Sequence, residues 1–211
     1  MNRKIKIIGI GGGSSSGKTY LCNKLVNIFG NDKILAIPID AYYKDLKHLK
    51  MEDREKINFD HPSSFEFDLL YKHLNQIKNN NQIKLPIYDY TTHTRKNEYH
   101  IIDKEYCVIL IEGILSSYNK EIRDMISLNI FIDTPNQLRK VRRTKRDLEN
   151  RERTLESILK QYKNTVEPMY KKYVEPMKKY SDIIIKEISN NDKGYITLIN
   201  KIKDIIDLDE K

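Results

Sequence analysis

The chain has 211 residues, of which 39% are hydrophobic and 32% charged, and its formal net charge is +8. These values predict one globular domain over residues 1–211, and they exclude a membrane-spanning chain because no apolar run approaches roughly 18 residues. The N-terminus lacks the apolar core and cleavage site of a secretion signal, so we expect a cytoplasmic protein that binds no membrane. Cys22 and Cys107 fall in predicted core segments and are expected to be buried thiols.

The excess positive charge is concentrated in one segment. Residues 139–153 contain eight Lys or Arg and three Asp or Glu, an excess of 8 − 3 = 5 positive charges. Such a local cluster is typical of a clamp for phosphate groups, whereas a surface for nucleic acid usually extends its charge further.

The first predicted element is a buried strand over residues 5–10, followed by a glycine-rich loop and a helix. The loop fits the phosphate-loop pattern at every fixed position, Gly12-x-x-x-x-Gly17-Lys18-Thr19. Its glycines allow turns in which backbone N–H groups point at phosphate oxygens, and the helix N-terminus adds its positive dipole end. We expect Lys18 to reach the β- and γ-phosphates and Thr19 to offer its hydroxyl to Mg²⁺. The predicted phosphate-binding residues are Gly12, Gly13, Ser14, Ser15, Ser16, Gly17, Lys18 and Thr19.

A second apolar run, residues 34–39, is followed by Asp40. Alternating strands and helices at this spacing predict a mostly parallel sheet with helices on both faces, in which ligands bind at the carboxyl ends of the strands. Asp40 should therefore lie near the phosphate loop, where a carboxylate can accept a proton from an attacking hydroxyl or hold Mg²⁺ through water. A second interpretation makes Asp40 a helix N-cap, since Asp is a preferred residue there.

The next region combines a polar stretch with an amphipathic helix. Residues 42–57 are rich in lysine and predict a helix or mobile loop with no chemistry of its own. Phe59 and Asp60 then place an aromatic ring beside a carboxylate, which is unusual in a connecting loop. Residues 67–77 predict a helix whose buried face consists of Leu70, Leu74 and Ile77.

Residues 83–102 have the composition of a two-stranded hairpin inserted between strands of the main sheet. The hairpin carries Tyr88, Tyr90 and His93, whose flat rings and polar tips suit stacking on a small heterocycle and hydrogen bonding to it. Ordinary aromatic packing within the hairpin explains the same residues, and the residue pattern alone favours that interpretation.

The most continuously apolar run, residues 107–111, is followed by Glu112. This is the layout of a Walker B strand, whose terminal acid completes the environment of Mg²⁺. A further buried strand over residues 128–133 precedes another helix. Thr134 is the predicted N-cap of that helix, and Pro135 is its predicted first residue.

That helix carries Arg139, Arg142, Arg143 and Arg146 at intervals of three and four residues, which places them on one face. Guanidinium groups crowded in this way repel one another unless an anion joins them. We interpret residues 139–160 as a lid over the transferred phosphoryl group, because arginine donors fork across two phosphate oxygens. A solvated charged face or a nucleic-acid patch is the alternative.

The C-terminal region completes the alternating pattern. Residues 155–180 predict a long helical stretch that Pro168 and Pro176 should end or kink. A short strand over residues 182–185 follows, and residues 195–206 predict a closing amphipathic helix. Its expected buried face consists of Ile196, Ile199, Ile202 and Ile206.

Three functional classes use a phosphate loop of this kind. A GTP-binding switch needs a guanine-reading motif, which TKRD at residues 144–147 matches, and also Asp three positions before a glycine, which none of the eight glycines has. A nucleic-acid-dependent ATPase usually needs a larger motor core. A small-molecule kinase accounts for the phosphate loop, Asp40, Glu112 and the arginines together.

Motifs over residues 7–185 resemble those of the uridine-cytidine kinases, in the same order and with similar gaps. They are GGSSSGKT, IDAYY, NFDHP, PIYDYTTHTR, LIEGI, RRTKRD followed by RER, and QY with EP before YSDIII. Phosphoribulokinases share the loop, but NFDHP followed by YDYTTHTR resembles the nucleoside enzymes. The resemblance implies an α/β P-loop kinase that uses Mg²⁺ to transfer the γ-phosphate of ATP or GTP to the 5′-hydroxyl of uridine or cytidine. It also implies a homo-oligomer, often a tetramer, and no nucleic-acid partner.

The resemblance implies roles for individual residues as well. Asp40 would be the base near the ribose hydroxyl, while Lys18 and Arg146 would offset the charge on the transferred group. Arg146 and Arg151 would face the phosphates. The residues implied to bind the nucleoside are Phe59, Asp60, Tyr88, Tyr90, His93, Arg143, Arg153 and Gln161.

Two positions depart from the family's usual pattern. Tyr90 stands where the family often has Phe. Glu152 stands where the lid commonly has Gly, which disfavours a positive φ and adds a negative charge near phosphate, so lid closure or nucleotide preference would change without loss of activity. Residues 189–191 are a candidate for the adenine-contacting loop.

Overall fold

The computed structural model describes residues 5–150 and 153–209. Its strands are, in chain order, β1 (Lys6–Gly12), β2 (Ile34–Pro38), β3 (Ile83–Asp89), β4 (Thr94–Ile102), β5 (Val108–Glu112), β6 (Leu128–Ile132) and β7 (Ile183–Ile185). Its helices are α1 (Lys18–Phe29), α2 (Met51–Arg54), α3 (Phe67–Lys78), α4 (Lys120–Met125), α5 (Asn136–Asn150), α6 (Leu155–Gln161), α7 (Glu167–Met169) and α8 (Lys193–Asp209).

Within the described ranges, five strands form one parallel sheet in the order β2-β5-β1-β6-β7. Side chains of the central strand β1 pack against both faces of this sheet: Ile7 lies in the core on one face, and Ile8 and Ile10 lie in the core on the other. This sheet, with its helices on both faces, confirms the predicted α/β class. β1 ends at the phosphate loop, β2 just before Asp40, and β5 at Glu112, so the topology brings these groups to one edge.

Different helices cover the two faces of the sheet. Leu25 of α1 and Leu198 of α8 are buried against one face, and Leu70 and Leu74 of α3 are buried on the other. Each fully buried side chain of this type stabilises the fold by about 1.5–3 kcal/mol relative to exposure. The apolar face predicted for α3 is therefore confirmed, and both cysteines are buried free thiols as expected.

The closing helix α8 buries most of the predicted face: Ile202 and Ile206 are buried as predicted, and Ile199 is half-buried against the same core. Tyr195, Leu198, Ile202 and Ile206 are buried, whereas Ile196 is 42% exposed. The prediction is wrong for Ile196, because the aromatic ring of Tyr195 fills the inward position one residue earlier. Among the described helices, none is both long and apolar enough to cross a bilayer.

The helical stretch between residues 155 and 180 continues past Pro168, but its form changes ahead of each of the two prolines that were predicted to end or kink it. Wide π-type turns occupy Tyr162–Val166 and Tyr170–Val174, each directly before the two residues Glu-Pro. Because proline lacks an N–H group and its ring crowds the preceding turn, a wider turn ahead of it lets the helical path continue. Residues after the second π-type turn, Glu175–Tyr180, form a 3-10 helix before β7.

The lysine-rich stretch after β2 contributes more to the core than its composition suggests. A 3-10 turn spans Ile39–Tyr42, α2 follows, and the side chains of Tyr42, Tyr43 and Leu46 are buried. The sequence predicts a helix or mobile loop here, and the structure has an ordered 3-10 turn and a short helix, with Tyr43 packed into the aromatic cluster described below.

The predicted hairpin is confirmed with its boundaries. β3 and β4 pair antiparallel from Ile83 opposite Ile102 to Asp89 opposite Thr94, with a bulge between Pro86 and Tyr88. The turn that joins them ends at His93, whose φ of +52° lies in the left-handed region. Because β3 also contacts the 3-10 turn that contains Asp40, the hairpin is held beside the carboxyl edge of the sheet.

Candidate active site

The phosphate loop connects β1 to α1 through backbone conformations that require glycine. Gly12 and Gly17 have φ values of +143° and +103°, in the region that side chains disfavour. A Cβ atom at Gly13 would collide with the guanidinium group of Arg139. The loop thus takes its shape from contiguous residues, and Arg139 of α5 closes over it.

Lys18, the first residue of α1, lies under this loop. Its Nζ atom donates hydrogen bonds to the carbonyl oxygens of Gly12 (3.1 Å) and Gly13 (2.9 Å). Burial lowers the pKa of Lys18, and the nearby carboxylates of Glu112 and Asp40 oppose that shift. The ammonium group is therefore placed where it can exchange two carbonyl oxygens for the oxygens of a phosphate.

The three serines of the loop differ in their contacts. Ser14 Oγ accepts a hydrogen bond from Arg143 Nη1 at 2.7 Å. The Oγ atoms of Ser15 and Ser16 are buried and make no hydrogen bond within the described residues. Buried hydroxyls without a partner are costly, so the loop carries donors that a bound anion would satisfy.

Thr19 and Glu112 meet at the predicted metal position. Thr19 Oγ1 donates to Glu112 Oε1 at 2.8 Å, and burial raises the pKa of Glu112 although Lys18 opposes the shift. A hydroxyl and a carboxylate are the hard oxygen donors that Mg²⁺ takes when phosphates and water supply the remaining ligands. In keeping with so small a donor set, no group of three or more His, Cys, Asp or Glu in the described ranges could hold a metal ion.

Asp40 lies inside the 3-10 turn that follows β2, where Pro38 is the N-cap residue. The interpretation of Asp40 as a helix N-cap is therefore wrong. Asp40 Oδ2 accepts a hydrogen bond from the hydroxyl of Tyr90 at 3.1 Å, and its charge opposes the burial that lowers the pKa of Lys18. Asp40 thus lies between the phosphate loop and the hairpin.

A cluster of aromatic rings forms the wall of the cleft beyond Asp40. Phe59 and His93 stack with centroids 5.0 Å apart and planes 15° from parallel. Tyr43 contacts Phe59 at 5.3 Å and Tyr88 at 5.0 Å, and Tyr88 meets Tyr90 edge to face at 5.4 Å. The hairpin aromatics therefore pack on one another and still line the side of Asp40.

Two features of this wall go beyond ordinary packing. The hydroxyl of Tyr88 is buried and makes no hydrogen bond within the described part of the chain, and burial raises the pKa of Tyr88. His93 keeps a left-handed backbone, which is unfavourable for a residue with a side chain. Buried polar groups without partners and strained backbone are concentrated at binding sites.

The polar part of the cleft is built by residues from three segments. Burial raises the pKa of Asp60, while the positive charge of Arg143 opposes that shift. Gln161 Oε1 accepts hydrogen bonds from Arg143 Nη2 (3.1 Å) and Arg153 Nη1 (2.5 Å). A groove of about 520 Å³ opens beside them, between residues 55–58 and 153–165.

The arginines of α5 do not all share the predicted face. Arg139, Arg143 and Arg146 turn inward, but Arg142 is exposed, so its predicted membership of the face is wrong. The fourth inward residue is Asp147, which is fully buried. The guanidinium groups of Arg143 and Arg146 are joined by this carboxylate of the protein itself, in addition to any anion that binds.

The start of α5 also differs from the prediction. The helix begins at Asn136, and the hydroxyl of Thr134 donates to the carbonyl oxygen of Ser16 at 2.9 Å, so Thr134 anchors the phosphate loop. Arg139 Nε donates to the carbonyl of Thr134, and its guanidinium stacks over Tyr170 at 3.8 Å. Arg151 and Glu152 lie outside the described residues, so their predicted places are not described.

Comparison with known proteins agrees with this architecture. The model of the Phosphoribulokinase / Uridine kinase family matches residues 7–193. The chain belongs to this family. It is 41% identical over 204 residues to a uridine kinase of Lactococcus lactis, covering 97% of this chain and 98% of the relative. It is 40% identical over 210 residues to a uridine kinase of Clostridium tetani, covering both chains completely.

Solved structures support the P-loop kinase fold. A structure described as a possible uridine kinase from Bacillus stearothermophilus superimposes with a TM-score of 0.58 at 20% identity, covering 86% of this chain and 89% of that one. Phosphoribulokinase from Rhodobacter spheroides superimposes with a TM-score of 0.61 at 16% identity, covering 92% and 75%. At such identities the likeness shows the fold alone.

Two residues of this family member's cleft were missed by sequence reasoning. Tyr43 stands in the IDAYY motif at the start of the stretch predicted to be polar, although an aromatic pair a few residues after a buried strand is a signal of burial. Asp147 was counted only as an acidic residue within a basic segment. Its position four residues after Arg143 is a spacing at which side chains on a helix meet, and this spacing marks it as a partner of that arginine.

Proposed function

We propose that this chain transfers the γ-phosphoryl group of ATP to the 5′-hydroxyl of uridine or cytidine, giving UMP or CMP for pyrimidine salvage. The observation that carries the proposal is the position of Asp40, which contacts the hairpin through Tyr90 and influences Lys18 on the other side. Relatives named uridine kinases over essentially their full length support the choice of substrate class.

In this proposal Asp40 positions the nucleoside hydroxyl and accepts its proton as the phosphoryl group is transferred. The Lys18 ammonium and the backbone N–H groups of the phosphate loop stabilise the negative charge on the phosphates. Arg146, and in our proposal Arg151, add positive charge on the lid side. Positioning and charge stabilisation supply most of the catalysis in reactions of this type.

Magnesium would be held by the Thr19 hydroxyl and by the carboxylate of Glu112, directly or through water. Bound there, the ion would supply charge neutralisation between the β- and γ-phosphates. The protein's own contribution is to keep the Thr19 hydroxyl 2.8 Å from Glu112 at the carboxyl edge of the sheet.

The pyrimidine would bind against the aromatic cluster, and the ribose against the polar residues beside it. The flat surface of the stacked Phe59 and His93 pair suits a base, and the buried Tyr88 hydroxyl can bond to its polar edge. Asp60 accepts hydrogen bonds from sugar hydroxyls, while Arg143 donates to them. In addition, Arg153 and Gln161 complete the pocket.

A lid at residues 139–160 would close over the phosphates and exclude water. The contacts of Arg143 with Ser14 and of Arg139 with the phosphate loop support this, because they already link α5 to the loop. Residues 189–191 follow Ile188, which lies beside Gly17, and this proximity supports a place for that loop near the nucleotide.

We further propose a cytoplasmic homo-oligomer that uses ATP or GTP and binds no nucleic acid. The outer surfaces of α5 and α6 expose large apolar side chains, which supports self-association; they are Leu138, Val141, Leu148, Leu155 and Leu159. Light scattering of the purified chain and of a Val141→Glu variant should show an oligomer and a smaller species, respectively.

A panel of acceptors tests the proposed reaction. ADP release should depend on uridine or cytidine and should show little dependence on ribulose phosphate, purine nucleosides or single-stranded RNA. Faster turnover with ribulose phosphate would favour a phosphoribulokinase-like enzyme, whereas ATPase activity stimulated by RNA and steeply weakened by salt would favour a nucleic-acid motor.

A further inference from the structure

Asp147 occupies the centre of the arginine cluster and is not used by the proposed chemistry. Its side chain is fully buried at 0% exposure. Its Oδ1 atom accepts a hydrogen bond from Arg146 Nε at 2.9 Å and lies 2.7 Å from Arg146 Nη2. Its Oδ2 atom lies 3.5 Å from Arg143 Nε and 3.8 Å from Arg153 Nη1.

The two oxygens of this carboxylate face different parts of the cleft. The Oδ1 atom holds Arg146, whose positive charge reaches Lys18 and therefore the phosphate side. The Oδ2 atom faces Arg143 and Arg153, which both donate to Gln161 on the nucleoside side. Arg143 also donates to Ser14 of the phosphate loop. One side chain thus connects the groups that flank both substrates.

The energetics make a purely stabilising role a poor explanation. Removing a carboxylate from water costs free energy that an ion pair often only balances, so a buried pair is weak support for stability. Without the carboxylate, however, the three guanidinium groups would repel one another and adopt more than one arrangement. Charge stabilisation of a transition state requires donors whose positions are fixed in advance.

We propose that Asp147 is a positioning residue that holds the guanidinium group of Arg146 at a fixed place relative to those of Arg143 and Arg153. It thereby fixes the position of the positive charge that faces the transferred phosphoryl group from the lid side. This inference rests on the proposed function, because it takes Arg146 as a phosphate-facing residue. Asp147 itself touches neither substrate and acts through its arginine partners.

A double-mutant cycle tests the proposal through kcat and KM. Asp147→Asn keeps the volume and one acceptor oxygen but removes the charge, and kcat should fall roughly 10- to 100-fold, less than or similar to the loss on Arg146→Gln. The variant carrying both changes should be no slower than the slower single variant, since the two residues act as one unit. The control is Asp124→Asn, which removes an exposed carboxylate that pairs with Lys120 on α4, outside the lid, and should retain wild-type kcat.

The outcomes separate positioning from support of the fold. The proposal would be overturned if the two changes lowered kcat independently, so that their effects multiplied in the double variant. It would also be overturned if folded Asp147→Asn protein kept the wild-type kcat and only its melting temperature fell. If Asp147→Asn does not fold, Asp147→Glu keeps the charge but displaces it by one methylene; a loss of kcat supports the proposal and wild-type kcat overturns it. All kcat values in the cycle are compared with that of the wild-type enzyme on its best nucleoside. Whether Asp40 is the base is tested separately, by Asp40→Asn, so the two proposals can fail independently.

Discussion

The phosphate side and the nucleoside side of the cleft are built in different ways. The phosphate loop is formed by contiguous residues between β1 and α1, and in our proposal its backbone N–H groups and the helix N-terminus are the main binding elements. The nucleoside wall is assembled from side chains of separate segments: the turn at Asp40, residues 59–60, the hairpin, and α5 with α6.

This difference teaches where substitutions should act. In our proposal the loop binds the reacting phosphate through its backbone, so substitutions that disturb the loop should abolish turnover with every acceptor. A wall made of separate side chains divides recognition among many contacts, and each loss should alter the affinity for the nucleoside by a modest factor. The comparison would fail if the two sides responded alike.

The largest effect is expected at the phosphate loop. Lys18→Gln should lower kcat roughly 10²- to 10³-fold with every nucleoside, because it removes the buried positive charge beside the phosphates. Steady-state ADP release with uridine and with cytidine measures the loss. The control is Lys24→Gln on the same helix, which should stay near wild-type, and a loss confined to one nucleoside would contradict a phosphate-side role.

On the nucleoside side, Asp60→Asn should raise KM for uridine about 10- to 100-fold with a smaller change in kcat, as expected for a charged hydrogen-bond partner. Asp68→Asn, an exposed change at the start of α3, is the control. An unchanged KM with a large drop in kcat would place Asp60 in the chemical step.

The buried carboxylate of Asp60 should also affect how the melting temperature depends on pH. Burial raises its pKa above the unfolded value despite Arg143, so the folded state binds the proton more tightly than the unfolded state does. The charged form therefore costs stability at neutral pH, and this cost disappears as pH falls through the raised pKa. Asp60→Asn should accordingly melt at a higher temperature than wild-type at pH 7, and the difference should shrink as the pH falls from the raised pKa toward the ordinary range of an aspartate carboxyl.

His93→Ala should raise KM for the nucleoside about tenfold, because a base loses one stacking surface. His100→Ala lies on the exposed side of the same hairpin and serves as the matched control. An unchanged KM for His93→Ala would mean that the hairpin aromatics only pack on one another, which is the interpretation that the residue pattern alone favours.

The smallest effect is expected at Tyr90. Tyr90→Phe keeps the ring and removes the hydrogen bond to Asp40 at 3.1 Å, and since Tyr90 is 42% exposed the bond contributes little. We expect kcat to fall about two- to fivefold in steady-state assays. A change of a hundredfold would mean that Tyr90 takes a direct part in phosphoryl transfer.

The same contrast explains how much could be predicted from the sequence. The phosphate loop, the strands that end at Asp40 and Glu112, and the hairpin follow from local patterns, and the structure has them at the predicted places. The position of Asp147 could not be read from charge counts, because its burial depends on how α5 packs against α6 and the phosphate loop. In the same way Tyr43 becomes part of the wall only when residues 59–60 and the hairpin meet it.

Errors in the helices have a common physical cause. Periodicity placed Arg142 with its neighbours and Ile196 in the core, since a helical wheel assigns a face without knowing what packs on it. In the packed structure these two residues are exposed, whereas the other predicted members of each face turn inward, and Asp147 and Tyr195 complete the two buried faces. Likewise, the π-type turns before the Glu-Pro pairs let a packed helix continue past a proline, and local helix propensity does not predict such turns.

The most direct test of the central claim is the effect of Asp40→Asn on transfer and on binding, measured separately. The account predicts that kcat with uridine falls about a hundredfold or more, while the Kd of a non-hydrolysable ATP analogue stays within about twofold of wild-type. Asp103→Asn, an exposed change beyond the hairpin, should match wild-type in both. Near-normal turnover by folded Asp40→Asn enzyme would contradict the claim that the phosphate loop and the aromatic wall converge on this carboxylate.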